Sequence, residues 1–216
     1  MGQKVNPINL RTGGIFTWKS LWFAKKKDYS DKVVEDYKIR QYLEKALSNA
    51  GLVEIALKRS INKLTIVLSV ARPGVVIGKG GQNLEKVKHD IDRLVNVAKD
   101  KKEKVRIDLK VEEVKKPDLS AKLVTEKIIA QLIARYPARR AVTQAMERVM
   151  SAGAKGVKIQ LSGRIGGAEI GRQEKYFQGS IPTQTLRANI DYFEEPAKTR
   201  SGYVGIKVWI YKGEVV

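Results

Sequence analysis

Three clusters in this chain of 216 residues combine positive charge with backbone freedom in ways that suit phosphate binding. The first, Gly78-Lys79-Gly80-Gly81, sets one lysine among three glycines. With no side chains at 78, 80 and 81 the backbone can come close to a sugar-phosphate chain, and the N–H groups of a helix starting there attract anions. The alternative is a tight turn required by folding, with Lys79 only solvated. In the second cluster, Arg139 and Arg140 fall in the first turn of a predicted helix, where positive charge opposes the helix dipole. An external anion such as RNA phosphate would favour them, and Arg135 and Arg148 nearby would extend the basic surface. A solvated helix face is the plain alternative. The third cluster runs from Gly163 to Arg172, where Arg164 and Arg172 share a glycine-rich strand connection that continues into Lys175 and Tyr176. Flexible backbone beside arginine and an aromatic suits RNA, but so would a long glycine hairpin of purely structural value.

Pattern alone decides nothing for the first cluster. With 18 glycines in the chain, chance supplies about 1.5 Gly-x-x-Gly patterns, and the pattern recurs at Gly153, Gly163 and Gly202. Only the copy at Gly78 lies between a short apolar turn and the first residue of a strongly periodic helix. A nucleotide-triphosphate loop fails on spacing. It needs four residues between the first glycine and Gly-Lys, then Ser or Thr, whereas Gly74 to Gly78 encloses Val75, Val76 and Ile77, and Gly80 follows Lys79.

Composition narrows the function further. Lys and Arg number 42 against 23 Asp and Glu, a net charge of +19, far beyond what solubility asks of a domain this size. The surplus runs through every quarter of the chain rather than a detachable tail, which calls for a polyanion that contacts the protein from several sides. There is no cysteine and one histidine, His89, so structural zinc, thiol nucleophiles and disulfides are not expected. No metal cluster, paired acid and base or nucleotide loop stands at recognisable spacing, so neither an enzyme nor a cofactor is expected. No apolar run of 18 residues, signal peptide or basic helix with a Trp/Phe/Leu face points to a membrane. A cytosolic compartment is expected.

These clusters need elements to position them. Residues 1–31 mix Pro7, Gly13, Gly14 and basic residues with Phe16, Trp18, Trp22 and Phe23 without a period, and read as an extended arm that becomes ordered on a partner. From Lys32 to Ala50 the positions Ile39, Leu43, Ala46, Leu47 and Ala50 predict a helix stopped by Gly51. Leu52–Lys58 and Leu64–Val70 predict a hairpin. The Gly78 loop then opens a helix with a core face of Leu84, Val87, Ile91, Leu94 and Val95, and a last strand alternates Val105, Ile107, Leu109 and Val111. This places one domain at 32–113, with a charged linker at 114–118 ending in Pro117 and the N-cap candidate Asp118. The second domain, 119–216, opens with two helices, one carrying Leu119, Leu123, Ile128, Leu132 and Ile133 and the other, Ala138–Ala152, carrying Ala141, Val142, Ala145, Met146, Val149 and Met150. Four strands follow, Val157–Ser162, Gln173–Gln178, Ala188–Phe193 and Tyr203–Tyr211. Two helices before a meander imply a two-layer α+β domain on a mainly antiparallel sheet.

The order helix, strand, strand, Gly-x-x-Gly, helix, strand resembles the type II, prokaryotic form of the KH domain, and Val76-Ile77-Gly78-Lys79-Gly80-Gly81-Gln82-Asn83-Leu84 is similar to its binding loop. Over almost the whole chain, motifs in the right order resemble the family of small-subunit ribosomal protein S-three: Met1-Gly2-Gln3-Lys4-Val5-Asn6-Pro7, Ser20-Leu21-Trp22-Phe23-Ala24, Ala71-Arg72-Pro73-Gly74, Ser162-Gly163-Arg164-Ile165-Gly166-Gly167-Ala168-Glu169-Ile170 and Gly205-Ile206-Lys207-Val208-Trp209-Ile210. The resemblance implies a structural protein in the head of the small subunit that binds its ribosomal RNA. It implies packing against neighbours including proteins ten and fourteen, and a position lining the channel through which messenger RNA enters. In the family a basic cluster on the helix near Ala138 is associated with unwinding messenger structure. Arg139 and Arg140 match its two arginines, while its third basic position is Thr143 here. The family implies a cytoplasmic ribosome, with a plastid ribosome as the minor alternative because plastid members are similarly compact.

Overall fold

The computed structural model describes residues 4–96 and 105–215, which form two compact units. One is Trp18–Lys115, and the other joins the segment up to Thr17 with the chain from Lys116 onward. Residues 4–25, expected as an extended arm without regular structure, instead hold a one-turn helix, α1 (Pro7–Leu10), and a two-residue strand, β1 (Ser20–Leu21). Asn6 caps α1 by accepting from the Ile8 N–H at 2.9 Å, and Pro7 presets the first helical turn. β1 pairs in parallel with Leu57 and Lys58. A pairing with residues so distant in sequence leaves no local period.

In the first unit α2 (Lys26–Ala46) starts earlier than the Lys32 that periodicity indicates. The added segment before Lys32 has Tyr29 as its one large apolar side chain, and that is exposed, as are Val33, Val34 and Tyr37 just after it, so no buried apolar stripe marks this end of the helix. Further along, Ile39, Leu43 and Leu47 are buried, and Gly51 stops the segment in left-handed conformation at φ 67°, while Ala46 is exposed rather than part of the core face. The strands β2 (Leu52–Arg59) and β3 (Lys63–Val70) are antiparallel. After α3 (Pro73–Ile77) and α4 (Gln82–Asn96), β4 (Arg106–Glu113) joins β3 in parallel, giving the sheet order β1-β2-β3-β4. Leu64, Ile66, Leu68 and Val70 are fully buried against α2 and against Val87, Ile91 and Val95 of α4. Leu94, expected on the core face, is 44% exposed, because the buried stripe follows 87, 91 and 95 and residue 94 lies beyond its edge, about 60° from its centre.

The second unit opens with a 3-10 turn at Pro117–Leu119, so the helix starts not at Asp118 but with Ser120 as N-cap residue and α5 at Ala121–Ile133. The Ala121 N–H donates to the Asp191 carboxylate at 3.2 Å, which anchors the start of α5. Ile133, at its last position, is 56% exposed. After α6 (Ala138–Ser151) come β5 (Gly156–Gly163), β6 (Arg172–Gly179), β7 (Ala188–Thr199) and β8 (Gly202–Glu214). All pairings are antiparallel, but the order is β6-β5-β8-β7 and not a meander. β8 lies inside the sheet beside β5, with Val204, Ile206, Val208 and Ile210 all buried, whereas β6 leaves most of its side chains exposed and serves as an edge. Both helices pack on one face of this sheet. Residues of the supposed arm reach the other: α1 packs on β7, and the buried Arg11 donates to the carbonyls of Pro7, Thr183 and Thr185 at 3.0, 2.9 and 2.9 Å. Burial lowers the Arg11 pKa.

Candidate nucleic-acid interface

The Gly78 loop is a hinge between two helices. Gly78 ends α3 at φ 70°, Lys79–Gly81 forms a single 3-10 turn with Gly80 at φ 61° and Gly81 at φ 82°, and α4 follows directly. The glycines divide in role. A Cβ on Gly78 would lie 2.8 Å from the Asn83 Cβ, and the Asn83 side-chain amide donates to the Val75 carbonyl at 2.9 Å, tying α4 to α3. The fold itself therefore requires glycine at 78. Nothing lies within 4 Å of the Cβ position at Gly80 or Gly81. Their positive φ suits glycine, and the space beside them is open to a ligand backbone, with exposed Lys79 on the same turn.

At α6, Arg139 and Arg140 are exposed in a first turn that has neither an acidic residue nor a capping side chain, since Pro137 occupies the N-cap. Thr143, exposed one turn on, donates its hydroxyl to the Arg139 carbonyl at 2.9 Å. At 100° per residue Thr143 projects between the two arginines, whereas Arg148 falls about 180° from Arg139. Arg148 borders a separate shallow depression with Asp118, Gln144 and Glu147, so it does not extend the surface carried by Arg139.

Arg164, Arg172 and Lys175 do not converge. Arg164 precedes a 3-10 turn, Ile165–Gly167, and donates from Nε to the Ala168 carbonyl at 2.8 Å. Arg172 pairs with Glu174 at 2.8 Å, and Glu174 also accepts from the Tyr176 hydroxyl at 2.6 Å. Burial, then Glu174, raises the Tyr176 pKa, while the charges of Arg139 and Arg172 act against the rise. Lys175 belongs to the opposite face of the sheet. There, cross-strand neighbours form a row Phe177, Lys158, Trp209 and Tyr192, beside a second row Lys175, Gln160, Lys207 and Glu194. The Lys158 ammonium lies 5.1 Å from the Trp209 ring centroid, and burial with the charges of Lys4 and Lys175 lowers its pKa. Sequence reasoning passed over these rows, and the alternation of Lys158, Gln160 and Ser162 opposite a buried face was the signal for them.

Among the described residues no group of three or more His, Cys, Asp or Glu could hold a metal ion, and no helix is long and apolar enough to cross a membrane. Residues 38–119 match the model of the KH domain, and residues 128–210 match that of the ribosomal protein S3 C-terminal domain. The small ribosomal subunit protein uS3 of Shouchella clausii is 46% identical over 216 residues, covering 100% of this chain and 94% of the relative. The chain belongs to the uS3 family. Other members give the same picture: uS3 of Exiguobacterium sibiricum is 49% identical over 216 residues with 95% of its length covered, and uS3 of Pelagibacter ubique 46% over 215 residues with 92%. Within the family's architecture the Gly78 loop falls in the KH match, and Arg139, Arg140, Thr143, Arg164, Arg172 and Lys175 fall in the C-terminal match.

Proposed function

We propose that this chain is a structural constituent of the small ribosomal subunit, in its head, where it binds ribosomal RNA and lines the channel through which messenger RNA enters. The observation that carries the reading is the pair Arg139 and Arg140, exposed at a helix start that offers no acid or cap to compensate them. A phosphate chain passing the N-terminal end of α6 would supply the missing anion. In this reading residues 32–113 are the KH module that contacts RNA through Gly78, Lys79, Gly80 and Gly81, 114–118 a linker, and 119–216 the channel-lining domain, with Arg164, Arg172 and Lys175 as further RNA contacts. Neighbouring subunit proteins, numbers ten and fourteen among them, would cover the remaining surface of a cytoplasmic ribosome.

The reading is tested in two steps. The endogenous protein should sediment with small subunits through a salt wash, and its presence only in the free pool would favour a free RNA regulator instead. Ribosomes assembled with the double variant R139A/R140A should then translate a message with a stable hairpin more slowly, with little change on an unstructured message. Equal times for wild type and the double variant on the hairpin template would reduce the pair to a solvated helix face.

A further inference from the structure

The end of α5, the turn after β5 and the β7–β8 hairpin enclose a cleft of about 320 Å³, at the lower end of the range for small-molecule pockets. Its floor is apolar, with Ile165 and Val204 only 4% and 3% exposed. Arg135, Arg164, Arg200 and Tyr136 line it, and no acidic residue does. None of the three arginines makes an ion pair among the described residues. The Nε bond to Ala168 steadies Arg164 and leaves its terminal N–H groups for another acceptor.

Arg135 adds an independent observation. The two helices of this unit end in the same hydrogen-bonded motif. At α6 the Gly153 N–H donates to the Met150 carbonyl at 3.0 Å and the Ala154 N–H to Val149 at 3.3 Å, with Gly153 at φ 101°. At α5 the Arg135 N–H donates to Leu132 at 3.0 Å and the Tyr136 N–H to Gln131 at 2.9 Å, with Arg135 at φ 61°. Glycine is the residue this left-handed position favours, and Arg135 is the one non-glycine residue with positive φ among the described residues. A helix stop alone gives no reason for arginine there. A ligand that needs a guanidinium at the edge of the cleft does.

We propose that this cleft takes one unstacked nucleotide of single-stranded RNA, its base against Tyr136 and the apolar floor and its flanking phosphates on Arg135, Arg164 and Arg200. Three arginines without a floor would suit any polyanion, and the floor without the arginines any small apolar group. Together they fit a flat base joined to negative charge. The proposal rests on the RNA-binding reading above and assigns it a site distinct from Arg139 and Arg140.

The test uses the full chain and a fluorescent single-stranded RNA of about twelve nucleotides, alongside the same strand with abasic sugars at its centre. Arg135→Gly should weaken binding about fivefold to tenfold while raising the Tm of the second unit by about 2–4 °C, because glycine relieves the left-handed strain. Tyr136→Ala should weaken binding of the base-bearing strand and leave the abasic strand unchanged. If Arg135→Gly raises Tm without changing affinity, or if the wild-type chain binds both strands equally, the cleft is not a nucleotide site, although the broader RNA reading stands. If the wild-type chain binds neither strand, both fall together.

Discussion

Replacing Asp36 by alanine should cost about 3 kcal/mol of folding stability in the first unit. Asp36 is 5% exposed and collects donors from two parts of the chain, the segment around β1 and the end of β2. Its carboxylate accepts from the Ser20 hydroxyl at 3.1 Å, the Trp22 indole N–H at 2.8 Å and the Arg59 Nε at 2.9 Å. The Arg59 side chain is itself 9% exposed and also pairs with Glu35 at 2.7 Å. Removing one partner of a buried ion pair costs about 3–5 kcal/mol, because the other charge stays buried and unpaired. Glu35 would still hold one edge of the guanidinium, which moves the expectation to the lower end of that range. Ser20 and Trp22 would lose their acceptor, while Arg40 would keep its hold on the Lys19 carbonyl at 3.0 Å and on the Ser20 hydroxyl at 2.9 Å. The variant should therefore unfold at lower urea with an unchanged m value, and protease should cut at Lys19 and Lys25 more readily than in wild type. A loss below about 0.5 kcal/mol, the size typical of a surface substitution, with unchanged cleavage would show that backbone pairing to β2 alone holds β1 and that the buried cluster contributes little.

Three further outcomes are expected. The double variant R139A/R140A should keep its stability within about 0.5 kcal/mol, since both side chains are exposed, while the slope of log affinity for single-stranded RNA against log salt falls by about 1.4, or about 0.7 for each phosphate no longer neutralised. Thr143→Lys should steepen that slope by about 0.7, because the new charge projects between the two arginines, and an unchanged slope would mean that no phosphate passes there. In the second unit the hydrogen bond from Tyr192, followed by that from Lys207, holds the Glu194 carboxyl below its usual range, and burial, followed by Glu194, pushes the Tyr192 hydroxyl up. The stability from Glu194 is present above the ordinary glutamate pKa and lost as pH falls through the depressed value; that from Tyr192 is present below the ordinary tyrosine pKa and lost as pH rises through the raised value. Tyr192→Phe should accordingly flatten the Tm profile at both its acidic and alkaline ends, and an unaltered profile would argue against the coupling.

What could be read from the sequence was whatever had a local period. Leu64, Ile66, Leu68 and Val70 alternate and are buried, as are Ile39, Leu43 and Leu47 at helical spacing, and the Gly78 loop stood out because a periodic helix follows it. Residues 4–25 had no such period, since their order comes from distant acceptors: Asp36 for Ser20 and Trp22, and the Thr183 and Thr185 carbonyls for Arg11. The place of β8 beside β5 is likewise a matter of pairing, which alternation within one strand cannot specify. The separation of Arg148 from Arg139 was different in kind. Helical geometry puts nine residues at about half a turn, so the chain contained that information and simple proximity in sequence obscured it. Arg135 lies between these cases. Its place two residues past α5, just before Tyr136-Pro137, is the position where glycine is favoured, and at the corresponding place after α6 the chain does carry Gly153. An arginine at such a position marks a side chain retained against local preference, but only the structure sets it beside Arg164 and Arg200, which come from turns far along the chain.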